Sequence, residues 1–86
     1  MSRRTVWKYP LVLKSVQVHH MPRGAVVLTV QLQESQPYLW ARVDPDAMLE
    51  RREFLLCGTG NDAPDNARYI GTFQTPPFVW HLWEPE

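Results

Sequence analysis

Apolar and polar residues alternate along most of this chain with a period of two. In "VVLTVQLQ", Val26, Leu28, Val30 and Leu32 are expected on one face, with Thr29, Gln31 and Gln33 on the other. "YLWARVD" repeats the pattern, setting Leu39, Ala41 and Val43 against Tyr38, Trp40 and Arg42, and "ESQP" between the two segments predicts a hairpin. "TVWKY" ends at Pro10 and reads as a strand, since it is rich in β-branched and aromatic residues. "LVLKSVQVHH" continues in extended form to a turn at "MPRGA", where Pro22 suits the corner and Gly24 a positive φ. Asp44 precedes Pro45 and is extended, and Asp46 is expected to cap a short helical turn reaching Glu50. "REFLLCG" is a strand ending at Gly58, and "RYIGTFQ" is another, broken by "TPP". "FVWHLWE" sets Phe78, Trp80 and Leu82 opposite Val79, His81 and Trp83. No segment holds a helical period over a dozen positions. The reading is one all-β domain over residues 1–86: a small antiparallel meander of six or seven short strands, closed as a barrel or stacked as a two-layer sandwich.

Composition sharpens this picture. A chain of 86 residues buries only about two thirds of its unfolded surface, so it needs large apolar side chains. Four Trp, three Tyr and three Phe supply them. Nine basic and nine acidic residues cancel, which argues against general nucleic-acid binding. Arg51 and Arg52, flanked by Glu50 and Glu53, read as a solvated, self-paired stretch. The single Cys57 forms no intramolecular disulfide and fits a reducing compartment. With no signal-like apolar region and no membrane-length apolar run, the expected location is the cytoplasm.

Candidate chemistry is sparse. Gly58-Thr59-Gly60 resembles a phosphate loop only in its glycines, because no Lys follows and Asp62 and Asp65 would repel an anion. It reads first as a connector, and with Arg68 as a candidate ligand loop. His19 and His20 are adjacent in an extended stretch and point to opposite faces, so only one of them can meet His81. Neither a metal nor a cofactor is expected, and Cys57 in an apolar strand reads as a buried hydrophobe. The aromatics weigh more. Tyr38 and Trp40 share a strand face with Arg42, and Trp80 and Trp83 crowd the last strand. Such residues suit an interface hot spot or a platform for a stacked base, balanced by the plainer reading that they cover the second side of a thin sheet.

"KYPL" (Lys8–Leu11), "MPRGA" (Met21–Ala25), "LWARVDPDA" (Leu39–Ala47), "GTG" (Gly58–Gly60) and "YIGTFQ" (Tyr69–Gln74) occur in order over nearly the whole chain. Together they resemble a family of short, functionally unassigned bacteriophage and prophage proteins. The resemblance implies a phage origin and expression inside a bacterial host cell, and it brings no catalytic residue. Small phage proteins often act by binding. The expectation is therefore a non-enzymatic protein attaching to a host or anti-phage-defence component through its aromatic and Arg surface, as a homo-oligomer. A nucleotide-sequestering protein and a phage structural or assembly component are the alternatives.

Overall fold

The structure is a computed structural model that describes residues 3–86. Strong β-formers separated by Pro, Gly and Asp give seven strands: β1 (Thr5–Pro10), β2 (Val16–Pro22), β3 (Val26–Gln33), β4 (Gln36–Val43), β5 (Leu49–Gly58), β6 (Ala67–Thr75) and β7 (Phe78–Pro85). All pairings are antiparallel. They build a three-stranded sheet, β1-β4-β3, and a four-stranded sheet, β2-β5-β7-β6. Of the two predicted architectures the sandwich holds and the barrel does not, because no ladder joins one sheet to the other. Sequence neighbours pair only at the β3–β4 and β6–β7 hairpins; the remaining ladders join strands distant in the chain.

The core lies between the sheets. Leu39, Ala41 and Val43 of β4 point inward with Val27 and Val30 of β3, onto Met21, Phe54, Leu56, Phe73 and Leu82 of the other sheet. Only one core layer fits in a slab of 45 × 31 × 15 Å. The first hairpin turns through Glu34 and Ser35 with φ of 51° and 69°, the left-handed pair that matches strand twist. The second turns at Pro76-Pro77, whose peptide bond is cis.

Three sequence expectations need correction. The alternation of β3 is interrupted by a bulge between Val27 and Thr29. Val27 and Val30 are therefore buried, while Val26, Leu28 and Leu32 are exposed. No helical turn follows Asp46; Asp44 instead accepts from the backbone N–H groups of Asp46 (3.0 Å) and Ala47 (3.1 Å), and β5 starts at Leu49. Arg51 does pair locally, 3.7 Å from Glu53, but Arg52 is not solvated: its side chain is 15% exposed and that of its partner Glu84 14%.

Arg52 points inward because its strand neighbours Arg51 and Glu53 point out. Its Nε and Nη2 donate to the Glu84 carboxylate at 2.6 and 2.9 Å, and Nη1 donates to the Ala25 carbonyl at 2.7 Å. Arg68 adds a bond to Glu84 at 3.2 Å. Burial pushes the Glu84 carboxyl up, but Arg52 and then Arg68 outweigh it and hold the group below its ordinary value. His19 lies across from Arg52 in the β2–β5 ladder, between the rings of Tyr9 and Phe54 at 5.8 Å each, and burial lowers its pKa.

The sheets touch most closely where β3 passes over β6. A Cβ on Gly71 would stand 2.7 Å from Val30 Cγ1, so only glycine admits this approach. Gly71→Ala is expected to cost about 1–3 kcal/mol in urea unfolding through overpacking. Acid sensitivity has two sources. An unfolded chain takes up the His19 proton near pH 6.5, above the folded value, so stability falls as pH drops below that point. Glu84 contributes fully above 4.5, and that contribution is lost as pH falls through its lower folded value. In unfolding curves taken across this range, Glu84→Gln should flatten the lower step and leave the upper one.

Candidate functional site

The five aromatic and Arg positions singled out in the sequence fall in three places. Alternation in β4 sends Leu39, Ala41 and Val43 to the core, so Tyr38, Trp40 and Arg42 emerge together on the outer face of the three-stranded sheet. The Tyr38 and Trp40 rings lie 5.7 Å apart. Cross-strand register sets Lys8 beside Trp40 and both Val6 and Val26 beside Arg42. Lys8 Nζ sits 4.4 Å from the Tyr38 ring centroid and donates to Gln33 at 2.7 Å. The sequence signal for Lys8 was absent because β1 and β4 are far apart in the chain.

Trp83 lies on the outer face of the other sheet. It is in register with Leu55 on one side and Tyr69 on the other, with the Tyr69 ring 5.3 Å away. Next to it, Cys57, His81 and Thr72 form a parallel row. His81 Nε2 is 2.8 Å from Thr59 Oγ1 and its Nδ1 is 2.9 Å from Thr72 Oγ1, whose hydroxyl also pairs with Tyr69 Oη. Hydroxyls donate or accept, so this chain satisfies the imidazole in either tautomer. Its members come from β6, β7 and the loop after β5, which is why no sequence motif announced it. His19 faces the core and His20 faces out, and no three metal-type ligands converge among the described residues.

Trp80 takes the third place, turned toward the core and donating from Nε1 to Thr75 Oγ1 at 2.8 Å. Its ring packs against Gly58, where a Cβ would be 3.6 Å away. The turn at Gly58–Asn61 closes by an Asn61 N–H to Gly58 carbonyl bond of 3.1 Å, with Gly60 at φ 92°. An open groove of about 470 Å³ lies on each side of this turn, both walled by Trp80. One includes Cys57 and Asp62, the other Thr59 and Phe78; neither is lined by Lys or Arg. Arg68, expected to serve this loop, is opposite Glu84 in the β6–β7 ladder, whereas Gly58 is opposite Trp80. Their partners are four positions apart along β7, about 13 Å. Arg68 is thus with Glu84 and away from the loop.

A two-layer β-sandwich with aromatic side chains on both outer faces is the class these features define. The chain belongs to the family described as a domain of unknown function, DUF7352, whose model matches residues 2–86. No curated protein and no solved structure matches it. Among the described residues no helix is long and apolar enough to cross a membrane.

A phosphate needs converging donors and positive charge, and the Gly58–Gly60 loop has neither lysine nor arginine beside it. Calorimetry with cyclic and linear nucleotides is expected to give no heat at micromolar protein. Saturable binding that Gly60→Ala abolishes would show that the backbone amides suffice alone.

Proposed function

We propose that this protein is a non-enzymatic binding module that docks an acidic, partly apolar protein partner on the outer face of the β1-β4-β3 sheet. The carrying observation is the charge of that face. Lys8 and Arg42 project from it beside Trp40 and Tyr38, and β1, β3 and β4 contain no Asp or Glu at all. At its rim, Asp44 stands 3.8 Å from Arg4 and adds no net charge, while Glu34 lies in the β3–β4 turn at the other end of the sheet. Exposed Val6 and Val26 flank Arg42, so cation and apolar contact occur together. An interface centre of Trp, Tyr and Arg with an apolar surround is where binding energy concentrates. Taken with the resemblance to phage proteins, the partner class is a host or anti-phage-defence protein in a bacterial cell.

Immobilised protein, with Trp40→Ala and Arg42→Glu variants that keep the wild-type circular dichroism, tests the reading against bacterial lysate. A specific acidic protein should be retained by the wild type and released by added salt, with each variant weakening retention at least about tenfold. Retention of the same protein by both variants would end this reading.

A further inference from the structure

The outer face of the four-stranded sheet has a different character. Register runs a single row straight across it: Val16 is opposite Leu55, Leu55 opposite Trp83, and Trp83 opposite Tyr69. The ends of the row, Val16 and Tyr69, are 50% and 52% exposed. Polar residues border it on both sides. Cys57, His81 and Thr72 lie on one side, with His81 and Thr72 hydrogen-bonded as described. On the other, Glu53 lies opposite Val18, and Arg51, one row further out, pairs with Glu53 at 3.7 Å. An apolar centre inside a satisfied polar border is the anatomy of a protein interface.

We propose that this face binds a second copy of the chain. Charge supports that occupant. On this face Arg51 is matched by Glu53, 3.7 Å away, so two copies meet without net repulsion. The other sheet, with Lys8 and Arg42 unopposed within its strands, would repel itself. The row also complements itself in shape. Its order is small, medium, large, large. A twofold axis parallel to the strands, between β5 and β7 in the plane of contact, reverses that order. Val16 then meets the second copy's Tyr69, and Leu55 meets the second copy's Trp83, each time a large ring against a branched aliphatic. Stable dimers bury about 800 Å² per partner, and a slab 45 Å by 31 Å offers a face of sufficient size. The dimer contact contains neither Trp40 nor Arg42 and stands whether or not the proposed heterologous partner exists.

Sedimentation equilibrium across the micromolar range tests it. Wild type should be a dimer. Val16→Lys and Tyr69→Lys, both at half-exposed positions that a monomer tolerates, should each weaken it at least about tenfold with unchanged circular dichroism. Val6→Lys, on the opposite face, should have no effect. Amide resonances that shift on dilution should map to β5 and β7. A wild-type monomer at every concentration, a dimer that survives both row variants, or one that Val6→Lys dissociates would overturn the proposal.

Discussion

Everything in this sandwich depends on the chain crossing between sheets without leaving backbone groups stranded, and Arg52 is the side chain that makes the hardest crossing hold. The ladder between β5 and β7 covers only Leu55–Gly58, after which the two strands part. Beyond that point Arg52 and Glu84 join them by two hydrogen bonds, and the third guanidinium donor reaches the Ala25 carbonyl at the turn from β2 into the opposite sheet. One planar cation thus ties two strands of one layer to the entry of a strand in the other. Its fixed fork geometry is what a lysine would lack. Because both partners are nearly enclosed, removing Glu84 leaves Arg52 as an uncompensated buried charge, a loss of about 3–5 kcal/mol, whereas removing Arg52 leaves Glu84 with only its Arg68 contact at 3.2 Å.

Each of the other crossings has its own polar anchor. The chain changes sheets between β1 and β2, between β2 and β3, and between β4 and β5. At the first, the buried Gln17 side chain accepts from Val12 N–H at 3.2 Å and donates to the Val12 carbonyl at 2.8 Å. Gln36 supports the same segment through the Leu11 carbonyl at 3.0 Å. At the last, Asp44 holds the turn that delivers β5. Strand alternation supplies the layers, and these few polar side chains decide how the layers connect.

Alternation made the strands legible in the sequence, together with the Glu34-Ser35 and Pro76-Pro77 turns, because period two and turn chemistry are local signals. Two kinds of feature were not local. The bulge after Val27 shifts the face of β3 by one residue, and only the fit of Val30 against Gly71 across the sheets gives a reason for it. Arg52 looked like one of two surface arginines, since its partner Glu84 stands 32 positions away. The same limit applies to the sites. Tyr38, Trp40 and Arg42 were readable as one face because they sit on one strand. That Lys8 joins them, that Arg68 leaves the glycine loop, and that Trp80 and Trp83 part company all depend on strand order, which no composition or spacing reveals.

Strand order also explains why a protein this small exposes so many rings. Seven strands in two layers yield one buried interface and two outer faces, and among the described residues no helix covers either. Aromatic residues at outward positions of the central strands β4 and β7 then have neighbours on both sides and stay partly shielded, as the Tyr38–Trp40 and Tyr69–Trp83 pairs do. Shielding by neighbours in the same sheet reduces the apolar area these rings present to water while leaving part of each ring on the surface. What separates the two faces is charge alone. The strands of one sheet carry two cations, Lys8 and Arg42, on the outer face and no anion; on the outer face of the other, Arg51 is matched by Glu53. A surface of one sign selects a partner of the opposite sign and rejects its own copy, whereas a neutral surface accepts its own copy at no electrostatic cost. On the two proposals made above, distributing charge this way gives a single thin sandwich two surfaces that do not compete for the same partner.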